Sequence, residues 1–389
     1  MNNEKISRKN ILPGFIFMIV LSLLVYKITN MLKPSGEINQ YLKPSADILK
    51  GVVEGNIFDR LRWSIMDWTQ GSFMGLLPAS LGMLIFSYLG AYLERKNSKY
   101  MGTGIDGIGL IFTKISIAAF LASFLNLFVW SSLLANGWSV SFAPFLTTVS
   151  YIMFYGTDWK KIITIIVFSV LLAFPLSHYA MIYITIPLNI PAYVAVAIGL
   201  ICMVLITTLL FKFMPWMKRS SKSNNSNSIE KYTMKNENLF FIHRVFGDFG
   251  ELNFWGSSYA GMAMILGSML SLFLNIDHGS SSLDLLLASQ LITATLSVFI
   301  YYHEWKTIGW SYTFGSILFT SAIVALYPIN MLTLAITIVI GAIACPYTIK
   351  KVVQITKLGD TVPAIFFTLV GVGGLVTLWS FFLTAFILK

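Results

Sequence analysis

The chain has 389 residues, of which 56% are hydrophobic and only 11% charged, with a net charge of +10. A soluble globular domain carries about 25% charged residues, so this composition excludes a fold whose whole surface faces water. The basic excess does not point to nucleic acid, because Lys and Arg collect in short segments between apolar runs, where they act as orientation signals.

Apolar runs of about the length that crosses a hydrocarbon core predict helices over 11–32, 72–94, 107–130, 141–157, 162–182, 190–213, 254–275, 285–302, 308–327, 331–349 and 362–388. The first run is too long for a signal-peptide core and lacks a small-residue cleavage site, so it reads as a retained leader helix. Lys5, Arg8 and Lys9 precede it, Arg95, Lys96 and Lys99 follow the second run, and Lys160 and Lys161 follow the fourth. The end of the sixth run and the segment after it carry Lys212, Lys218, Arg219, Lys222, Lys231, Lys235 and Arg244, and Lys306, Lys350, Lys351 and Lys357 follow later even-numbered runs. The opposite loops are nearly free of Lys and Arg, apart from the long mixed segment 33–71. Alternation of this kind predicts a multi-pass membrane protein with about eleven crossings, the N-terminus cytoplasmic and the C-terminus extracellular.

Two parts of the chain resemble each other. MDWTQGSFMGLLPASLGMLI at 66–85 aligns without a gap on GDFGELNFWGSSYAGMAMIL at 247–266, matching Asp67 with Asp248, Gln70 with Glu251 and Ala79 with Ala260. Downstream, Pro175 matches Pro346, Tyr155 matches Tyr327, Pro191 matches Pro363 and Gly199 matches Gly371, in the same order. The expected architecture is therefore all-α: residues 1–71 as leader and outer loop, 72–213 as a first five-helix repeat, 214–253 as a cytoplasmic linker with an interfacial segment, and 254–389 as a second repeat. An odd number of helices per repeat inverts the second relative to the first, an arrangement typical of channels and secondary transporters.

Polar residues and helix breakers at membrane depth are the candidates for a solute pathway. Asp67, Gln70, Asp248 and Glu251 stand before the first helix of each repeat, in segments expected to be interfacial or re-entrant. Lys114 lies within a run, where it either snorkels to the membrane surface or faces inward. His178 follows Pro175, and Gln290 heads a polar stripe with Thr293 and Thr295; helix-to-helix hydrogen bonding explains such residues equally well. Pro175, Pro191, Pro346 and Pro363 are expected to break or open helices and free backbone groups to line a cavity.

No catalytic signature accompanies them. Metal-ligand spacings, a phosphate-binding loop and a nucleophile elbow are missing, and GTGIDG at 102–107 lacks the preceding strand of a dinucleotide fingerprint. Cys202 and Cys345 lie in separate apolar runs and read as packing residues. No enzyme activity, cofactor or metal is expected.

The segments DWTQGSFMGLLPASLG, SHYAMIYITIPLNIPAYVAVAIGL and KLGDTVPAIFFTLVGVGG resemble an uncharacterised bacterial family of duplicated multi-pass membrane proteins, a domain-of-unknown-function family. The resemblance covers residues 60–389 and implies a fold rather than a function. The leading functional expectation is a channel or secondary transporter for a small solute. A non-transporting sensor, immunity protein or assembly partner is the alternative, and a membrane-embedded enzyme is disfavoured by the scattering of the four His residues. Expected partners are the bilayer, the solute and further copies of the chain in a homo-oligomer, without nucleic acid.

Overall fold

A computed structural model describes residues 8–32, 45–96, 98, 108–135, 139–219, 236–251, 257–274, 276, 283–307, 311–359 and 362–387. The GTGIDG segment, Asp277, His278 and most of the 218–231 linker lie outside the described residues. Among those described, every regular element is helical.

Helices occupy all eleven predicted runs. They are α1 (Leu12–Met31), α4 (Leu77–Arg95), α5 (Ile108–Val129), α6 (Ala143–Tyr155), α7 (Trp159–Thr185), α8 (Ala192–Phe213), α10 (Ser258–Phe273), α11 (Leu283–Ile300), α13 (Phe314–Leu326), α14 (Met331–Thr356) and α15 (Ala364–Phe382). Four shorter helices accompany them: α2 (Ser45–Val53), α3 (Ile57–Gln70), α9 (Glu237–Glu251) and α12 (Tyr302–Thr307). Eight are long and apolar enough to cross a membrane, namely α1, α4, α5, α7, α8, α11, α14 and α15, and α10 and α13 are apolar but shorter. At about 1.5 Å per residue, the 13 residues of α6 reach only about two-thirds of a hydrocarbon core. Nearly all of them are buried, so protein rather than lipid surrounds this helix. The molecule is an all-α protein built to be embedded in a membrane.

α3 and α9 are amphipathic, and each packs against the two long helices that follow it. The Asn56 side chain accepts hydrogen bonds from Phe58 N and Asp59 N and so caps the start of α3, a contact worth about 1 kcal/mol. The C-terminal ends of α3 and α9 are buried, which brings their carboxylates inside the protein rather than to a surface rim. The division at 71/72 thus falls between α3 and the helices it packs on, and α9 likewise packs with the segment after 253.

Small residues set the helix crossings. The most extensive contact is between α4 and α10. A Cβ on Gly82 would stand 2.9 Å from Ala263 O, and one on Gly267 would stand 2.5 Å from Pro78 O and 2.6 Å from Ala79 Cα. As the α4 partner rises in number the α10 partner falls, so the two helices run antiparallel. Gly199 on α8 abuts Ser177 on α7, Gly371 on α15 abuts Ile349 on α14, and Gly373 touches Ala197 across α15 and α8. Without a hydrophobic drive between helices in lipid, close approach of this kind supplies the packing energy. The leader α1 docks on α9 and α11, with Phe15 against Phe241 and Phe299 and Gly14 N donating to Asn238 Oδ1 at 2.9 Å.

Of the four prolines, two open helices as expected and two break none. α14 runs unbroken through Pro346, and α7 remains helical through Pro175 between two π-helical segments, Ser169–Ala173 and Met181–Thr185. Proline removes one backbone donor and crowds the preceding turn. Widening the preceding turn of α7 to a π segment relieves that crowding without parting the helix. Pro191 and Pro363 open α8 and α15 as N-caps. All four prolines are buried among packed helices rather than exposing backbone groups to a cavity.

Candidate functional site

A cavity of about 760 Å³ lies at one end of the bundle, where α2, α3 and the 71–76 loop meet the start of α8, α11 and the end of α13. The volume falls in the range of about 300–1,000 Å³ found for small-molecule sites. Its lining is mainly apolar, with Trp63, Phe73 and Phe142 as the aromatic wall. Leu286 and Ala325 reach it from the second part of the chain, and the remaining walls come from the first.

Two residues of this wall each bury a polar atom without a hydrogen-bond partner, Gln70 at Oε1 and Tyr193 at Oη. They are only 9% and 6% exposed. Leaving a buried polar group unsatisfied costs about 1–3 kcal/mol, which marks both residues as polar positions in a mainly apolar wall. Pro191, two residues before Tyr193, opens α8 and so sets where the tyrosine stands. The loop between α3 and α4 is tightly wound. Phe73 has φ +60° and Gly75 φ +48°, and the left-handed value at Phe73 is uncommon for a bulky side chain. Gln290 on α11 holds this loop by donating from Nε2 to Ser72 O at 2.9 Å and to Ser321 Oγ at 2.6 Å.

Behind Gln70 lies Asp67, fully buried. Ser141 Oγ donates to Asp67 Oδ1 at 2.9 Å, Ser123 Oγ donates to Oδ2, and Trp63 Nε1 donates to Ser141 Oγ at 2.7 Å. A hydrogen-bonded path thus runs from a cavity-lining tryptophan to the carboxyl. No cation among the described residues pairs with Asp67. Since α3 is not one of the crossing helices, its electrostatics follow from protein burial alone: burial raises Asp67 above the usual carboxylate range, against the pull of the Ser123 and Ser141 hydroxyls.

Asp248 and Glu251 sit in a different setting on α9. Arg244 Nη2 bonds Asp248 Oδ1 at 3.1 Å and also bonds Glu251 Oε1, and its guanidinium lies 4.0 Å from the centre of the Trp305 ring. Thr313 Oγ1 donates to Asp248 Oδ1 at 3.1 Å. Arg244, Asp248 and Glu251 are 2%, 0% and 3% exposed. Burial raises both carboxyls, and Arg244 opposes the rise.

The remaining expected residues divide. Gln290, Thr293 and Ser297 form a ladder with Ser321, Thr320 and Ser316 on α13, which is helix-to-helix bonding. His178 is buried with Nδ1 at 2.8 Å from Ser139 Oγ and does not line the cavity. Lys114 is exposed, its Nζ reaching Thr157 O at 3.4 Å, so it turns away from both polar clusters. Charge spacing alone places Arg244 in a cytoplasmic segment, and the fold buries it. The spacing of Arg244, Asp248 and Glu251 in RVFGDFGE, four and then three positions, puts all three on one helical face and was the available signal. Tyr193 and Ser141 gave none.

No protein-family model, curated protein or solved structure matches the chain. The reading of function therefore rests on this geometry.

Proposed function

We propose that the chain is a multi-pass bacterial plasma-membrane transporter or channel for a small solute, with its pathway between two inverted repeats and its entrance at the cavity beside Gln70 and Tyr193. The observation that carries this is the mainly apolar cavity of about 760 Å³, whose wall includes Gln70 and Tyr193, two residues that each bury a polar atom without a hydrogen-bond partner. A solute that meets them offers hydrogen-bonding groups on an apolar body.

Recurring contacts support the repeat. One sequence offset relates Gly199–Ser177 to Gly371–Ile349 and Ser141 to Thr313. A second offset relates Trp63, Asp67 and Gln70 on α3 to Arg244, Asp248 and Glu251 on α9. In both places an aspartate accepts from a hydroxyl just before the third crossing helix of its repeat. On this reading eleven helices cross, α6, α10 and α13 included, and the cavity end faces outward while the Arg244 cluster stands toward the cytoplasm.

Two measurements bear on it. In proteoliposomes, uptake from a panel of small amphipathic solutes is expected to show at least one transported compound. Tyr193→Phe and Gln70→Leu should each reduce its apparent affinity by about fivefold to tenfold, the worth of one hydrogen bond of about 1–1.5 kcal/mol. If nothing in the panel moves, the non-transporting alternative is favoured; if a solute moves and both variants match the wild type, the entrance lies elsewhere. Orientation is read from impermeant thiol labelling of single cysteines at the exposed positions Lys218 and Met331, with Cys202 and Cys345 changed to Ala. Labelling from opposite sides is expected, and labelling of both from one side removes the inverted topology.

A further inference from the structure

We propose that the Arg244–Asp248–Glu251 cluster is a proton-binding site, in which two carboxylates share one guanidinium and one exchangeable proton. Two acids and one cation, all within 3% of full burial, leave a net charge of −1 when both acids are ionised. Burying an uncompensated charge costs several kcal/mol even after relaxation. Asp248 Oδ2 and Glu251 Oε2 are both buried with no hydrogen-bond partner, and each is a position that a proton can occupy.

A metal cation is the other means of neutralisation, and the geometry disfavours it. Hard cations such as calcium take about six to eight oxygens. Here a guanidinium stands between the two carboxylates, and the described residues contain no group of three or more His, Cys, Asp or Glu able to hold a metal. Several other titratable and charged groups around the cluster have partners of their own. His243 Nδ1 lies 2.7 Å from Ser258 Oγ, with its ring against Tyr259 of α10. Glu304 of α12 bonds Lys350, and Lys306 lies over the Phe240 and Tyr302 rings. Arg8, before α1, donates to Ile300 O. From α13 the cluster receives the neutral Thr313 hydroxyl, and from α12 the neutral Trp305 ring.

The step is a simple exchange. A proton from water forms an O–H bond on one carboxyl, and its departure returns the carboxylate; with two acids on one guanidinium the proton belongs to the pair rather than to either residue. Joined to the transport reading, on which this last point rests, protonation of a cluster at the end opposite the open cavity is the event that couples solute movement to a proton.

The test is infrared absorption by protonated carboxyl groups in the full-length detergent-solubilised protein at neutral pH, with Asp67→Asn as background to remove its own contribution. The protein is expected to show a protonated-carboxyl band that shifts in heavy water and fades as the pH is raised. Glu251→Gln and Asp248→Asn should each abolish it, because Arg244 then neutralises the single remaining carboxylate. Absence of the band at neutral pH, or its survival in both variants, overturns the proposal. The wild-type chain provides a check without any substitution, since a spectrum free of the band is equally fatal. Infrared absorption needs no solute flux, so failure here leaves the transport reading standing, and failure of flux leaves the proton site standing.

Discussion

Arg244→Leu is expected to destabilise the protein by about 3–5 kcal/mol, the usual cost of removing one partner from a buried ion pair. The guanidinium is the only group that neutralises Asp248 and Glu251 among the described residues. It also covers the Trp305 ring at 4.0 Å, so its loss removes packing as well as charge. The measurement is thermal unfolding in detergent. Adding Asp248→Asn and Glu251→Gln to Arg244→Leu should recover much of the loss, because the stranded charges go with the acids. The defect should also shrink as the pH falls. A carboxyl whose proton is held more tightly in the folded chain than in the unfolded one contributes stability that grows toward acid and is lost as the pH rises. An Arg244→Leu protein as stable as the wild type at neutral pH would show that the cluster carries no electrostatic strain.

Gly267→Val and Gly199→Val are expected to have effects of comparable size through sterics. At Gly267 an added Cβ meets backbone atoms of Pro78 and Ala79 at 2.5–2.8 Å. At Gly199 it meets Ser177 N at 2.4 Å and Cα at 2.5 Å. Backbone cannot rotate away as a side chain can, so the helices must part, at or above the upper end of the about 1–3 kcal/mol typical of overpacking. Gly374→Ala is the control. Nothing stands within 4 Å of its added Cβ and the residue is exposed, so the change should be neutral or stabilising by up to about 1 kcal/mol through helix propensity. Unfolding temperatures in one detergent compare all three, and a Gly374→Ala protein weaker than Gly267→Val would remove the crossing argument.

Prolines illustrate why local rules misjudge a buried helix. Pro346 and Pro175 each delete a backbone bond, and in isolation that predicts a break. In the fold, α14 is held on both sides by α13 and α15, and α7 absorbs its proline in a π segment. Packing against the neighbouring helices stabilises them by more than the missing hydrogen bond costs, and the helices stay whole. Depth of the acids shows the converse. Ionisable residues near apolar runs are costly, and Asp67, Asp248 and Glu251 are all buried.

Length, hydropathy and the spacing of charge were enough to determine that the chain is all-helical, that it is built for a bilayer, and where eleven of its helices run. Those properties are sums over neighbouring residues, so they can be read along the chain. Which way a side chain faces around its helix, and what it meets there, depends on residues far away: Trp63 bonds Ser141, 78 positions on, and Gln290 bonds Ser72, 218 positions back. Only the tertiary structure therefore turned Lys114 outward, drew Arg244 inside to its two carboxylates, and set Gln70 and Tyr193 on one cavity wall. A cation's sign is visible in sequence, but whether water or a buried acid surrounds it is decided when the helices pack.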